Sequence, residues 1–135
     1  MNFTELEKKL PELRQTFELK FKYFSSRGLS RNAVLCIEKG ENYKIDSFLK
    51  YLEILNYCLV VNGTPVLDKE AFGSVLTELR QQQGLSQMDI SSGKEIWPYQ
   101  VVAIEKGRSY KKSSLLHYLK ALNTDFEVKS LIDIL

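Results

Sequence analysis

The tetrapeptide Ile37-Glu38-Lys39-Gly40 returns as Ile104-Glu105-Lys106-Gly107, 67 residues further along the chain. Each copy closes a segment of helical character and is followed by a polar loop and an apolar helical pattern that ends in Leu-Asn. Glycine directly after an apolar periodic segment is a typical helix end. The repeat therefore predicts two copies of one small helical unit, a first half at residues 1–63 and a second half at 64–135.

The composition narrows the class of protein. Hydrophobic residues make up 44% of the 135 residues and charged residues 27%, with a formal net charge of +2. The chain can therefore bury a core, and its charge permits a polyanionic partner without demanding one. It has no run of roughly 18 apolar residues for a membrane span and no pattern of a secretory signal. We therefore expect a cytoplasmic protein that does not enter membranes.

Residue types that often carry chemistry are sparse. Cys36 and Cys58 lie in apolar patterns without a CxxC pair; buried free thiols are favoured, and a structural disulfide stays open. The lone histidine, His117, has no second histidine or cysteine nearby, so we expect no metal site. There is no glycine-rich phosphate loop, nucleophile elbow or carboxylate pair. We expect neither a cofactor nor an enzyme.

The apolar spacing predicts similar helices in the two halves. They are expected near 4–17, 19–24, 30–39 and 46–55, and again near 68–84, 86–92, 98–106 and 113–122. A capping-box pattern at Thr4 and Glu7 indicates the first helix start, although Pro11 indicates a kink or a later start. The last helix of each half is expected to be capped at 46–47 and at 113–114.

Short strands are predicted after each half. Residues 58–61 are β-branched and apolar and run into Asn62-Gly63, a dipeptide typical of tight turns, which Thr64-Pro65 continues. A second strand candidate lies at 126–129, although the apolar tail to Leu135 fits a strand or a helix equally well. Because the two candidates occupy equivalent places in the repeat, we expect them to pair with each other or across a dimer.

Two short helices joined by a tight turn form a helix-turn-helix pattern in each half. An α-helix fits the major groove of DNA, and the residues of its first turns reach the base edges. The inner face of such a helix has to be apolar so that the fold holds it rigidly. Val34 and Ile37 supply that face in the first half, and Val101 and Ile104 supply it in the second.

The second half resembles the lambda-repressor/Cro-like helix-turn-helix family, also called the xenobiotic-response-element type. The residues that carry the resemblance are Leu79-Arg80, Gly84-Leu85-Ser86-Gln87, Ile90-Ser91, Val101, the tetrapeptide at 104–107, Leu115-Leu116, Leu119 and Leu122-Asn123. The first half resembles it more weakly, since Phe17-Glu18-Leu19-Lys20 replaces the Gly-Leu-Ser-Gln segment. The resemblance implies a mainly α-helical fold of two tandem five-helix units.

The resemblance also implies a structural ion pair in each half. An arginine of the first helix usually binds the glutamate that ends the recognition helix. Arg80 with Glu105, and Arg14 with Glu38, occupy these places. Removing one partner of a largely buried pair typically costs about 3–5 kcal/mol. We therefore expect Glu105→Ala to affect folding more than specificity.

The family's base-reading positions indicate where the two halves differ. They fall on Arg31, Asn32 and Cys36 in the first half, and on Pro98, Tyr99, Gln100 and Ala103 in the second. Arginine suits guanine and asparagine suits adenine, each through a bidentate pair. In the second half, Tyr99 suits a phosphate or a thymine methyl group, and Gln100 suits an adenine. Trp97 stands where the family usually has a small capping residue.

Basic and amide side chains around these helices are candidate phosphate contacts. They are Lys20, Lys22, Arg27 and Lys44 in the first half, and Gln87, Lys94, Lys106, Arg108, Lys111 and Lys112 in the second. We expect a sequence-specific, double-stranded DNA-binding transcriptional regulator with recognition helices near 30–39 and 97–106. The alternative is an antitoxin-like or anti-repressor module that binds a protein, or a second copy, through the strands or the tail.

Overall fold

Each half contains four helices followed by a strand, over the residues 2–93 and 95–134 that the computed structural model describes. The first half forms α1 (Phe3–Thr16), α2 (Phe21–Ser25), α3 (Arg31–Glu38), α4 (Ile45–Ile54) and β1 (Tyr57–Val61). The short β2 (Thr64–Val66) leads into α5 (Lys69–Gln82), α6 (Gln87–Ser91), α7 (Pro98–Glu105), α8 (Lys112–Leu122), β3 (Glu127–Ser130) and α9 (Leu131–Ile134). The prediction of a mainly helical fold is confirmed. Four helices, rather than the expected five, precede β1 in the first half and β3 in the second.

The first helix differs from its sequence-based prediction at two points. Its N-cap is Asn2, whose side chain accepts a hydrogen bond from the Glu5 N–H (2.9 Å), so the Thr4 capping box does not form. Glu7 instead faces the interior. Pro11 lies inside an uninterrupted helix. The apolar stripe of α1 is buried from the first turn onward, which offsets the backbone hydrogen bond that proline removes.

The last helix of each half begins earlier than expected. The N-caps are Lys44 and Lys111, ahead of the predicted capping sites at 46–47 and 113–114. Both lysines have extended backbone and form an isolated antiparallel bridge with each other. Pairing of the two entering segments therefore sets where these helices start.

A three-stranded antiparallel sheet with the order β2-β1-β3 covers the other end of the molecule. Asn62 and Gly63 both have positive φ (50° and 76°), the backbone that a tight hairpin turn requires. Thr64-Pro65, expected in the turn, belongs instead to β2 and pairs with β1. The predicted pairing of the two equivalent strand segments is confirmed, and it occurs within the chain, between β1 and β3.

Two separate pairings relate the halves by a local two-fold axis. The bridge joins Lys44 to Lys111, and the β1–β3 ladder joins Val60 to Glu127. The partners in each pairing are 67 positions apart, the spacing of the sequence repeat. An antiparallel pair of equivalent residues lies on a two-fold axis. The axis therefore runs from the bridge at one end to the sheet at the other.

Buried side chains of both halves form one continuous cluster. Phe3 at the start of α1 packs against Phe126 beside β3, with ring centroids 4.8 Å apart, and against Phe48 of α4 at 5.1 Å. A shared core of this kind holds the halves in a fixed relation. Among the described residues, every helix is too short or too polar to cross a lipid bilayer.

Candidate nucleic-acid interface

In the first half, α2 and α3 form a helix-turn-helix with a polar outer end. The Ser30 hydroxyl caps α3 by accepting a hydrogen bond from the Ala33 N–H at 3.1 Å. Val34 and Ile37 are fully buried and fix the inner face of the helix. Arg31 and Asn32 are exposed in its first turn. The two proposed hydrogen-bonding readers therefore face solvent on a rigid helix.

In the second half, α6 and α7 repeat this arrangement with different caps. Ser86 and Asp89 form a reciprocal capping box on α6. Trp97 is the N-cap of α7, and its indole cannot accept a hydrogen bond, so no side chain at that position caps the helix. Gln100 closes the turn instead, since its Oε1 accepts from the Trp97 N–H at 2.8 Å.

Both ion pairs implied by the resemblance are formed. In the first half, Arg14 Nε and Nη2 donate to the two carboxylate oxygens of Glu38 at 2.7 and 3.1 Å. The Tyr51 hydroxyl donates to the same carboxylate. This cluster ties α1, α3 and α4 together.

The equivalent cluster in the second half has one more donor. Arg80 binds Glu105 through Nε and Nη2 at 2.7 and 3.0 Å, and the Tyr118 hydroxyl donates at 2.6 Å. Gln87 Nε2 adds a hydrogen bond at 3.0 Å. Burial raises the pKa of Glu105, but the hydrogen bonds from Arg80, Tyr118 and Gln87 outweigh it and hold that pKa below its usual value. The carboxylate is therefore ionised and committed to the scaffold.

The outer face of α7 opens onto a groove beside the Lys44–Lys111 bridge. Tyr99, Gln100 and Ala103 line this groove together with Lys111 and with Asn42 of the first half. The Asn42 side chain accepts a hydrogen bond from the Ser113 N–H at 2.9 Å, so it caps α8 across the pseudo-two-fold axis. The reading face of the second half therefore lies at the bridge end of that axis.

The outer face of α3 lies near the same end. Burial raises the pKa of the Cys36 thiol, as does Glu41, while the nearby charges of Lys111 and Lys112 oppose the shift. The Lys112 ammonium group donates to the carbonyl oxygen of Gly40, two residues after α3 ends, so that end of α3 lies beside the bridge. Cys36 is half-buried against the core, so its thiol is a weak candidate for base contact. Cys36 and Cys58 are both free thiols.

Most of the candidate phosphate contacts are exposed. These are Lys20, Lys22, Arg27, Lys44, Lys106, Arg108 and Lys111. Gln87 is exposed too, although its amide already donates to Glu105. Lys94 lies outside the described residues.

Lys112 is the exception, and its expected phosphate role has to be corrected. Its ammonium group donates to Glu7 Oε2 and to the Gly40 carbonyl oxygen, each at 2.8 Å. Tyr43 also donates to Glu7, at 2.7 Å. The Lys112 and Glu7 side chains are only 11% and 7% exposed. Lys112 is therefore part of a buried contact between the halves.

Sequence reasoning missed this contact, although a signal was available. Glu7 lies beside Leu6 and Leu10 on the apolar stripe of α1. A carboxylate on such a stripe seldom becomes buried without a cationic partner. Its partner on α8 is 105 residues away, so only the fold identifies it.

The outer surfaces of the two helix-turn-helix segments differ in character. Around α2 and α3 the exposed side chains are mostly polar, with four basic residues, Lys20, Lys22, Arg27 and Arg31, and the less exposed aromatics Phe17 (46%) and Tyr23 (36%). Around α6 and α7 they are large and apolar: Met88 is 77% exposed, Trp97 66% and Tyr99 70%. Exposed aromatic side chains grouped on one functional face usually indicate binding.

Comparison of the chain with protein-family models, curated proteins and solved structures found no match. The function therefore has to be argued from the geometry of this surface.

Proposed function

We propose that this chain is a sequence-specific, double-stranded DNA-binding transcriptional regulator in which one polypeptide supplies both reading helices. The halves would be tandem units of the lambda-repressor/Cro-like type. A dimeric regulator of this class places two recognition helices about one DNA turn, roughly 34 Å, apart. Here α3, through the Gly40–Lys112 contact after its end, and α7, through the groove beside Lys111, flank the same end of an internal pseudo-two-fold axis. That arrangement is the observation that carries the proposal.

The first half is proposed to read bases by hydrogen bonds. Arg31 and Asn32 occupy the exposed first turn of α3, where their side chains reach outward from a capped helix. Each bidentate pair with guanine or adenine is worth about 1–3 kcal/mol of discrimination. The unlike side chains of α7 imply an operator with two unlike half-sites.

Exposed cations at the bridge end are proposed to bind the DNA backbone. Lys44 and Lys111 lie directly opposite each other in the bridge, where like charges repel unless an anion lies between or beside them. Lys106 and Arg108 add charge on the same half. A phosphate backbone crossing the axis would relieve this repulsion.

A salt titration of duplex binding tests the proposal. Sequences selected from a random duplex pool should bind with a log–log slope of about −0.9 per neutralised phosphate. Lys44→Ala with Lys111→Ala should reduce that slope by about two such units. Lys129→Ala, on β3 at the opposite end of the axis, is the matched control and should leave the slope unchanged.

The alternative function, a protein-interaction module, is favoured by the exposed apolar side chains on α6 and α7. Absence of duplex binding at low salt would support it and reject the regulator. Retention of half-site specificity by Arg31→Ala with Asn32→Ala would reject the assignment of the readers only.

A further inference from the structure

The first turn of α7 has few free hydrogen-bonding groups. Pro98 has no N–H, and the carbonyl oxygen of the Gln100 side chain is held by the Trp97 N–H at 2.8 Å. A glutamine needs both its oxygen and its nitrogen to pair with adenine. Reading adenine through Gln100 would therefore break the only side-chain cap that the described part of α7 shows.

The groups that α7 does present are large aromatic side chains, each with one polar atom at its edge. Trp97 and Tyr99 are 66% and 70% exposed, and Met88 of the neighbouring α6 is 77% exposed. The residues at the same helix positions in the first half are polar. Ser30 is the N-cap of α3, as Trp97 is of α7; Asn32 and Lys22 are the second residues of α3 and α2, as Tyr99 and Met88 are of α7 and α6. The second reading surface therefore offers contact area in place of hydrogen bonds.

Exposed cations follow the end of α7, and one of them, Lys111, lines the same groove as Tyr99. Lys106, Arg108 and Lys111 are exposed, and none forms an ion pair with a described acidic side chain. Apolar side chains edged by free positive charge suit a partner with apolar groups set between phosphates. The major groove offers one such apolar group, the 5-methyl of thymine.

We propose that α7 recognises its half-site through thymine methyl groups that pack against Trp97 and Tyr99, in place of a bidentate hydrogen-bonded pair from its first turn. This inference rests on the proposed DNA-binding function. Arg31 and Asn32 read one half of the operator by hydrogen bonds to bases, and α7 reads the other half by the positions of the thymine methyl groups in the DNA.

Replacing thymine by uracil removes the methyl group and keeps the base pair. In a duplex selected by the protein, the α7 half-site is the one whose preference survives Arg31→Ala with Asn32→Ala. Each uracil at a contacted position there should weaken binding about fourfold, the effect of losing one buried methyl-sized group. Uracil in the α3 half-site should have a smaller effect.

Variants of the protein complete the test. Trp97→Ser with Tyr99→Ala should weaken binding to the thymine duplex and remove the difference between thymine and uracil. Serine is a favourable N-cap, so this variant should keep or raise the melting temperature, which separates lost contact from lost folding. Leu67→Ala, at an apolar residue of similar exposure outside this surface, should change neither property.

The outcomes are distinguishable. Duplex binding that is indifferent to uracil in the α7 half-site overturns the methyl-contact inference and leaves the proposed function standing. Unchanged affinity and thymine preference in Trp97→Ser with Tyr99→Ala overturns it too, and assigns this surface to a protein partner. Failure to bind any duplex at low salt rejects both proposals.

Discussion

The first half presents Arg31 and Asn32 where the second presents Pro98 and Tyr99, yet both α3 and α7 end in the same cluster of arginine, glutamate and tyrosine. A buried charge cluster allows few replacements, because every member leaves another unpaired when it changes. Exposed positions carry no such constraint. The scaffold of the two halves is therefore alike, and their outer surfaces differ.

The halves are also joined by two ion pairs at equivalent places, and these two pairs differ in burial. On one side of the axis, Lys112 of α8 meets Glu7 of α1 in a buried pair. On the other side, Asp46 of α4 meets Lys69 of α5 at 2.6 Å, with side chains 40% and 27% exposed. Equivalent helices of the two halves meet in both places, but the charges are reversed, and the second pair is the more exposed to solvent.

The largest effect is expected from removing the glutamate of either scaffold cluster. Glu38→Ala and Glu105→Ala should each lower the free energy of unfolding by about 3–5 kcal/mol, because each leaves a largely buried arginine uncompensated. Chemical denaturation would measure both. The loss should be larger for Glu105, which accepts the additional bond from Gln87. A loss below 1 kcal/mol in either variant would contradict the scaffold role.

The two ion pairs between the halves should respond very differently. Lys112→Met should cost about 3–5 kcal/mol, because Glu7 would stay buried without its cationic partner. Lys69→Met should cost less than about 1 kcal/mol, since water solvates Asp46 when its partner is lost. Lys112→Met combined with Glu7→Leu should recover much of the loss. Equal costs for the two lysines would show that the ion pairs on the two sides of the axis do not differ in strength.

Two equivalent tyrosines provide a smaller and more selective test. Tyr43 donates to Glu7, whereas the buried Tyr110 hydroxyl has no hydrogen-bond partner among the described residues. Tyr43→Phe should cost about 1–3 kcal/mol, because it removes a donor from a buried carboxylate. Tyr110→Phe should be neutral or stabilising, since an unpaired polar atom leaves the interior. Thermal unfolding of both variants would show whether the signs differ as expected.

The loop that ends the first helix of each half gives an effect of about 1 kcal/mol. Glu18 has a φ of 56°, in the left-handed region, where its equivalent in the second half is Gly84 with a φ of 72°. Glu18→Gly should stabilise the protein and Gly84→Ala should destabilise it, each by about 1 kcal/mol, because side chains strain this backbone. Destabilisation by Glu18→Gly would show that the Glu18 side chain makes an offsetting contact.

The smallest effect concerns acid pH. Burial raises the pKa of Asp46, but its hydrogen bond and charge interaction with Lys69 prevail and leave that pKa below the usual value of 3.8. A carboxyl group with a lowered pKa stabilises the fold above its unfolded-state pKa, and this contribution disappears as pH falls through the folded-state value. Denaturation between about pH 5 and pH 2 should show less of this loss in Lys69→Met. Identical pH profiles for this variant and the wild type would show that the exposed pair contributes nothing measurable.

Much of the local structure was predictable from short-range signals. Ser30, Asp68 and Ser86 are residue types favoured at helix N-caps, and each caps its helix; Pro98 occupies the first position of α7, which proline favours. The paired strands also followed from their equivalent places in the repeat. These features depend on residues close in sequence, or on the repeat itself, so the chain displays them directly.

The predictions that were wrong concern residues whose positions depend on contacts between the halves. The starts of α4 and α8 are set by the Lys44–Lys111 bridge, and Lys112 turns inward because Glu7 lies within reach. Both were assigned from local capping and charge patterns, which contain no information on a partner elsewhere in the chain. The use of the Gln100 side-chain oxygen in a helix cap was also missed. The residue at the N-cap position, Trp97, cannot accept a hydrogen bond through its side chain, and the cap comes instead from Gln100, three residues later.

The internal two-fold axis also affects how the occupancy of a DNA site would depend on the concentration of the protein. A regulator built from two separate subunits loses its paired geometry on dilution, and its site occupancy rises sigmoidally as subunits assemble. In this chain the bridge and the β1–β3 ladder join the halves within one molecule. Under the proposed function, occupancy of a two-half operator should therefore follow a simple hyperbola with a Hill coefficient near one.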